Sequence, residues 1–159
     1  MLFKNFFVVS GRGTSRNSSL TAFDKALFEA GIAQCNLVSV SSILPAGARE
    51  INPLDIKPGT VTFTVLSRED GCYGDEITAG IAWAHCKAGG KETYGLVVED
   101  HGKKTVEECK RDLKIKLEEM AEARNMEIAK YCSEIATLKD IPEKNFGCAI
   151  AALIYVPAK

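Results

Sequence analysis

The segment that most constrains this chain is its last long apolar run, "GCAIAALIYV", Gly147 to Val156. It shows no alternation of apolar and polar residues, so a strand built from it has no face suited to water and must be buried on both sides. The apolar part, Cys148 to Val156, is far shorter than the roughly 20 residues that cross a bilayer. The run therefore belongs in a protein core.

The other segments supply elements to cover it. "FKNFFVVS" reads as a first strand that ends at a glycine-rich loop, "GRGTSRNSS". That loop lacks the Gly-Lys-Ser/Thr ending of a P-loop and the third glycine of the dinucleotide fingerprint, so it is read as a plain loop. "SLTAFDKALFEAGI" reads as a short helix capped by Ser18 or Ser19 and ended by Gly31. On it Leu20, Asp24 and Leu27 share one stripe, with Phe23, Leu27 and Ala30 beside them, which puts Asp24 at the edge of the apolar face. "CNLVSVSS", "TVTFTVLS", "EITAGIAWAHC" and "TYGLVVE" read as strands, the third with Ile77, Ala79, Ile81 and Trp83 on one side, although its alanines also suit a helix. "SREDGCYGD" reads as a loop and "AGGKE" as a turn.

Thr105 followed by Glu108 forms a capping box that opens a helix of about twenty residues, ending near Arg124. Its core stripe is Val106, Cys109, Leu113, Leu117 and Met120. "EIAKYCSEIATL" and "GCAIAALIYV" are the last two strands. Strands outnumber helices about three to one without strict βαβ alternation, which favours an α/β sandwich over a doubly wound sheet. The 159 residues suit one domain with one core.

Charge and cysteine usage exclude several functions. Twenty basic and twenty-one acidic residues leave a net charge of −1, with no separate basic cluster, so neither nucleic acid nor a membrane surface is an expected partner. The opening apolar run is too short for a signal peptide, and the expected location is the cytoplasm. The six cysteines, Cys35, Cys72, Cys86, Cys109, Cys132 and Cys148, include no CxxC pair and read as small buried hydrophobes. His85 and His101 have no carboxylates at metal-ligating spacing, so no metal site is expected.

Three features remain as candidates for chemistry. Ser41 and Ser42, between an alternating segment and Pro45, are common turn residues or a nucleophile aimed at the chain itself. Asp24 is an exposed helical acid or a buried anion awaiting a cation. Glu99 is a strand-end residue before a charged loop, or an acid.

"NLVSVSSILP", preceded by "AFDKALFEAGI" and followed by "GLVVE" and "GCAIAALIY", resembles the pyruvoyl-dependent arginine decarboxylase family over nearly the whole chain. The resemblance implies a four-layer αββα sandwich with mostly antiparallel sheets, assembled as a trimer of cleaved protomers or a hexamer, with sites between subunits. It implies self-cleavage between Ser41 and Ser42, giving chains 1–41 and 42–159. In that scheme the Ser42 hydroxyl attacks the Ser41 carbonyl carbon and turns an amide into an ester. β-Elimination then frees the Ser41 carboxyl, and the dehydroalanine left behind hydrolyses to a pyruvoyl group and ammonia.

By the same resemblance, the ketone made from Ser42 condenses with the substrate amine and draws electrons away as CO2 leaves. Glu99 matches the proton donor, Asn36 an asparagine supporting processing and substrate, and Asp24 the group that holds the arginine guanidinium. Leu20 and Leu27 match the apolar flanks of the substrate stem. The implied reaction converts L-arginine to agmatine and CO2 for polyamine synthesis. Ala33 and Cys35 stand where the family admits glycine or valine, which changes the pocket wall in detail. Two alternatives stay open: a pyruvoyl decarboxylase of histidine or aspartate, and a trimeric scaffold that never cuts itself.

Overall fold

The structure of the protein is a computed structural model that describes residues 1–156. β1 (Asn5–Ser15) leads into α1 (Ser19–Glu29), followed by β2 (Asn36–Ser39), β3 (Ile43–Leu44), β4 (Arg49–Glu50) and the long β5 (Val61–Cys72). β6 (Ile77–Ala88), β7 (Lys91–Glu92) and β8 (Gly95–Gly102) precede α2 (Val106–Glu122), and β9 (Glu127–Leu138) and β10 (Phe146–Tyr155) follow it. One sheet runs β2-β5-β10-β1-β4; the other sets β3, β8, β6 and β9 side by side, with β7 folded back on the end of β6. The pairings are antiparallel apart from β1 with β4 and β2 with β5.

The doubly apolar run does become a central strand, β10, between β5 and β1. Its alternation explains the layers. Ala151, Leu153 and Tyr155 point at the second sheet and meet Ile81, Trp83 and Val97 there, while Cys148, Ile150, Ala152 and Ile154 lie under α1. β6 splits the same way: Ile77, Ala79, Ile81 and Trp83 face the first sheet, and Ala82, Ala84 and Cys86 pack on Cys109, Leu113 and Leu117 of α2. The order is thus helix, sheet, sheet, helix, the αββα sandwich with mostly antiparallel sheets.

The helix boundaries follow their caps. Ser18 accepts a hydrogen bond from the Thr21 amide, and Gly31, at φ 75°, ends α1 in the left-handed region. Both halves of the Thr105–Glu108 capping box are formed, and α2 runs 17 residues, two short of Arg124.

Two expected loops are strand instead. Gly11 and Gly13, in "GRGTSRNSS", lie inside β1 directly beneath α1, where a Cβ would fall on the carbonyl oxygens of Ala26 and Ala22. They let the helix approach the sheet, and the buried stripe of α1 is accordingly Ala22 and Ala26. This splits the expected stripe: Leu20 and Asp24 turn outward with Phe28, Leu20 being 70% exposed and Phe28 79%, while Leu27 is half-buried against the core. Likewise β5 continues through Ser67–Cys72 because β10 pairs with it along that length, and the polar residues find local partners, Arg68 binding Asp70 through two nitrogens. The cysteines are mostly internal as expected, but Cys72 is exposed.

Gly13→Ala should cost about 1–3 kcal/mol, because the added methyl meets backbone that cannot step aside. Thermal unfolding should show a drop of several degrees; an unchanged melting temperature would mean that the helix does not sit on Gly13.

Candidate functional site

The chain changes sheets between Ser41 and Ser42. On one side the Val40 amide donates to the Thr64 carbonyl at 2.9 Å, extending β2 along β5 of the first sheet. On the other, the Ser42 carbonyl accepts the Val97 amide at 2.8 Å, beginning β3 along β8 of the second. Ser41 is exposed and Ser42 half-buried at this crossing. The serine pair is therefore not the turn before the proline; that turn comes later, where the Ala48 amide donates to the Pro45 carbonyl.

The β3–β8 register pairs Ile43 with Leu96 and Leu44 with Gly95, so Ser42 stands opposite Val97. Glu99, two residues further along β8, shares that face and is a diagonal neighbour of Ser42, about 7–8 Å away. Ser42, Val98, Glu99, Lys116, Met120 and Arg124 line one cavity of about 530 Å³, a size that suits a small molecule.

Glu99 is exposed to solvent in the isolated chain, yet its carboxyl is partly desolvated by the surrounding protein. This desolvation pushes its pKa above the usual carboxylate range, with the charges of His101 and Lys116 pulling the other way. The result is a carboxyl that keeps its proton to higher pH than an ordinary glutamate. Its neighbour Asp100 is the opposite case. Burial alone would raise that carboxyl, but hydrogen bonds from Lys104 (2.8 Å) and Lys116 (2.6 Å) outweigh it and hold it down. Lys116 also donates to the Glu99 carbonyl at 3.1 Å, so α2 braces the strand at the candidate acid.

The remaining residues marked by resemblance do not reach this cavity within one chain. α1 covers the outer face of the first sheet, and Asp24, exposed on it, is not among the cavity's lining residues; nor are Leu20 and half-buried Leu27. Asn36 opens β2 and its Nδ2 donates to the Gly59 carbonyl at 2.9 Å. Five residues of extended chain separate it from Ser41, roughly 16 Å. The structure thus brings Ser41, Ser42 and Glu99 together and leaves Asn36, Leu20, Asp24 and Leu27 on other surfaces.

Three contributors carried no sequence signal: the Val97 amide, Lys116, and Tyr155, whose hydroxyl donates to the Ile43 carbonyl at 2.7 Å. Among the described residues no group of three or more His, Cys, Asp or Glu side chains is arranged to hold a metal ion. No described helix is long and apolar enough to cross a membrane. His101 sits on the surface against Glu69.

Comparison with known proteins places the chain in one family. A family model described as pyruvoyl-dependent arginine decarboxylase matches residues 5–159. A protein of Methanopyrus kandleri named pyruvoyl-dependent arginine decarboxylase is 32% identical over 152 residues, 96% of each chain. One of Methanococcus vannielii with the same name is 36% identical, covering 91% of this chain and 85% of its own. A third, pyruvoyl-dependent arginine decarboxylase 2 of Archaeoglobus fulgidus, is 32% identical over 158 residues, 96% of each.

Proposed function

We propose, from the premise that this chain belongs to the pyruvoyl-dependent arginine decarboxylase family, that it cuts itself between Ser41 and Ser42 and decarboxylates L-arginine to agmatine. The observation that carries the proposal is the meeting of Ser42 and Glu99 on one sheet face and one cavity, at the peptide where the chain passes between sheets.

A neutral serine hydroxyl is a weak nucleophile, so the chain must hold it in near-attack geometry on the Ser41 carbonyl carbon. The crossing supports this: Val40 is tied to one sheet and Ser42 to the other, which restricts the peptide between them. Attack forms the ester, elimination expels the Ser41 carboxylate, and water releases ammonia. After the cut, chain 1–41 keeps β1 in its ladder with β10, so the two pieces stay together without the peptide bond.

The surroundings of Ser42 fit a pyruvoyl group made from it, since its carbonyl already receives the Val97 amide and a carboxyl whose pKa is raised by desolvation lines the same cavity. Such a group supplies a ketone and an adjacent amide carbonyl that accept the electrons left behind when CO2 departs. Glu99 then returns a proton to the substrate Cα. Val97 N–H favours charge gathered on the Ser42 carbonyl oxygen, and Lys116 keeps Glu99 in place.

Asp24 binds the guanidinium, with Leu20 and Leu27 against the aliphatic stem, and it does so for the cavity of a neighbouring subunit in a trimer. Leu20 and Phe28, both exposed beside this carboxylate on the outer helix face, support the reading, because such a surface suits burial by a partner, while Leu27 is half-buried against the chain's own core. Asn36 serves a neighbouring site in the same way, and the assembly works in the cytoplasm.

Mixing tests the arrangement. Asp24→Ala should cut itself normally and lose arginine decarboxylation by roughly 10²-fold or more, since it leaves a buried guanidinium unpaired. Ser42→Ala should be inactive. Dissociating and reassembling the two together should restore part of the activity, each supplying what the other lacks. No recovery in mixed oligomers would put Asp24 and Ser42 in one chain's site, and loss of activity toward histidine or aspartate rather than arginine would change the substrate.

A further inference from the structure

β10 ends in Tyr155, a residue of the first sheet, whose hydroxyl crosses to the second sheet and donates to the Ile43 carbonyl at 2.7 Å. Residues 112 apart in sequence meet there. Tyr155 is 3% exposed, and its ring packs on Phe3 at 5.1 Å between centroids. A buried tyrosine needs a partner for its hydroxyl, and several carbonyls in a sheet sandwich would serve. The one it takes belongs to the first residue after Ser42. The preceding carbonyl, that of Ser42 itself, is held by Val97 from β8. Two consecutive carbonyls on the downstream side of the sheet crossing are therefore fixed by donors from different sheets.

We propose that Tyr155 is a positioning residue for both steps at Ser42: its hydroxyl fixes the Ile43–Leu44 peptide against the first sheet and, with Val97 holding the preceding carbonyl, anchors the downstream side of the crossing from which residue 42 faces the Ser41 carbonyl and the cavity. The inference rests on the self-cleavage reading above. Without the hydroxyl, the start of β3 loses its tie to the first sheet and keeps only its bonds to β8, the Val97–Ser42 bond among them, which leaves the crossing peptide free to shift relative to the first sheet. Near-attack geometry leaves little room for that, as a displacement of about 1 Å costs roughly 10²-fold in rate. Burial pushes the Tyr155 hydroxyl up to about 12, so it remains a donor throughout the physiological range.

The test is Tyr155→Phe, which keeps the ring in the core. Protein made by cell-free translation is followed by denaturing mass spectrometry as the 42–159 chain appears. Cleavage should slow by roughly 10- to 100-fold, and the cleaved fraction should show a lower kcat with an unchanged KM for arginine. Ile154→Val, which loosens the opposite face of the same strand under α1, should cleave at the parent rate. Parent-rate cleavage in Tyr155→Phe, or equal slowing in Ile154→Val at a matched melting temperature, overturns the proposal. Should Tyr155→Phe not fold, a fluorinated tyrosine at 155 decides: it ionises at lower pH, and cleavage must fall with its ionisation while the parent's does not. A flat profile in the fluorinated protein overturns the proposal. A parent chain that is never cut overturns instead the self-cleavage reading, and this inference with it.

Discussion

Ser42→Ala leaves the protein as one chain of 159 residues with no decarboxylase activity. The expected effect is complete, because the substitution removes both the attacking oxygen and the atom from which the ketone derives. The fold should survive it. Ser42 takes part in the structure through its backbone, by accepting the Val97 amide, and alanine keeps that carbonyl. Circular dichroism and the melting temperature should match the parent within about 0.5 kcal/mol, while denaturing electrophoresis shows a single band. A variant still cut at the same bond would assign the nucleophile elsewhere.

Glu99→Gln separates the two steps. It should cut itself, since the attack on Ser41 does not require a proton on residue 99, and then decarboxylate about 10²- to 10⁴-fold more slowly. The amide has the size of the carboxylic acid but no proton to give. The pH profile provides the sign. Burial raises the Glu99 pKa above 4.5, so the competent, protonated form persists on the alkaline side of that value and disappears as pH rises through the raised pKa. Arginine turnover governed by this group should therefore fall with rising pH, and Glu99→Gln should lose that limb. The same shift makes Glu99 unusual among carboxylates for stability. A raised folded-state pKa stabilises below the unfolded value, and that contribution is lost as pH rises through the folded one. Full turnover in Glu99→Gln, with the parent pH profile, would remove Glu99 from the mechanism.

Local chemistry was legible in the sequence wherever one segment contained its own reason. The unbroken apolar run of β10 announced a strand buried on both faces, the Thr105–Glu108 box and Ser18 announced helix starts, and the period-two pattern of β6 put Ile77, Ala79, Ile81 and Trp83 on one side, the side that the structure turns toward the first sheet. Where the reason lay in a distant segment, reading failed. Gly11 and Gly13 look like loop residues until α1 is laid across them, and Ser67–Cys72 looks like a polar turn until β10 pairs with it. Two-residue strands such as β3 have no periodicity at all, yet β3 is what carries Ser42 to β8.

The candidate site divided in the same way. The serine pair and Glu99 were candidates by residue type with a turn and a strand end as their plain alternatives, and only the resemblance to a family gave them roles. Their juxtaposition came from register, through Val97. The helical spacing puts Asp24 at the edge of an apolar face without saying which way that face points. The small residues beneath α1 bring the helix close to the sheet and leave Leu20, Asp24 and Phe28 outward. Tyr155 was invisible, because its partner lies 112 residues away.

The central claim is that the chain makes its own carbonyl cofactor at residue 42, and denaturing mass spectrometry of the purified protein with and without a hydrazine tests it most directly. Two species should appear, 1–41 with a free carboxyl and 42–159 bearing a hydrazine-reactive ketone at its start, together equal to the uncut mass plus one water less one ammonia. A single species at the full-chain mass after long incubation, inert to the hydrazine, would contradict the account.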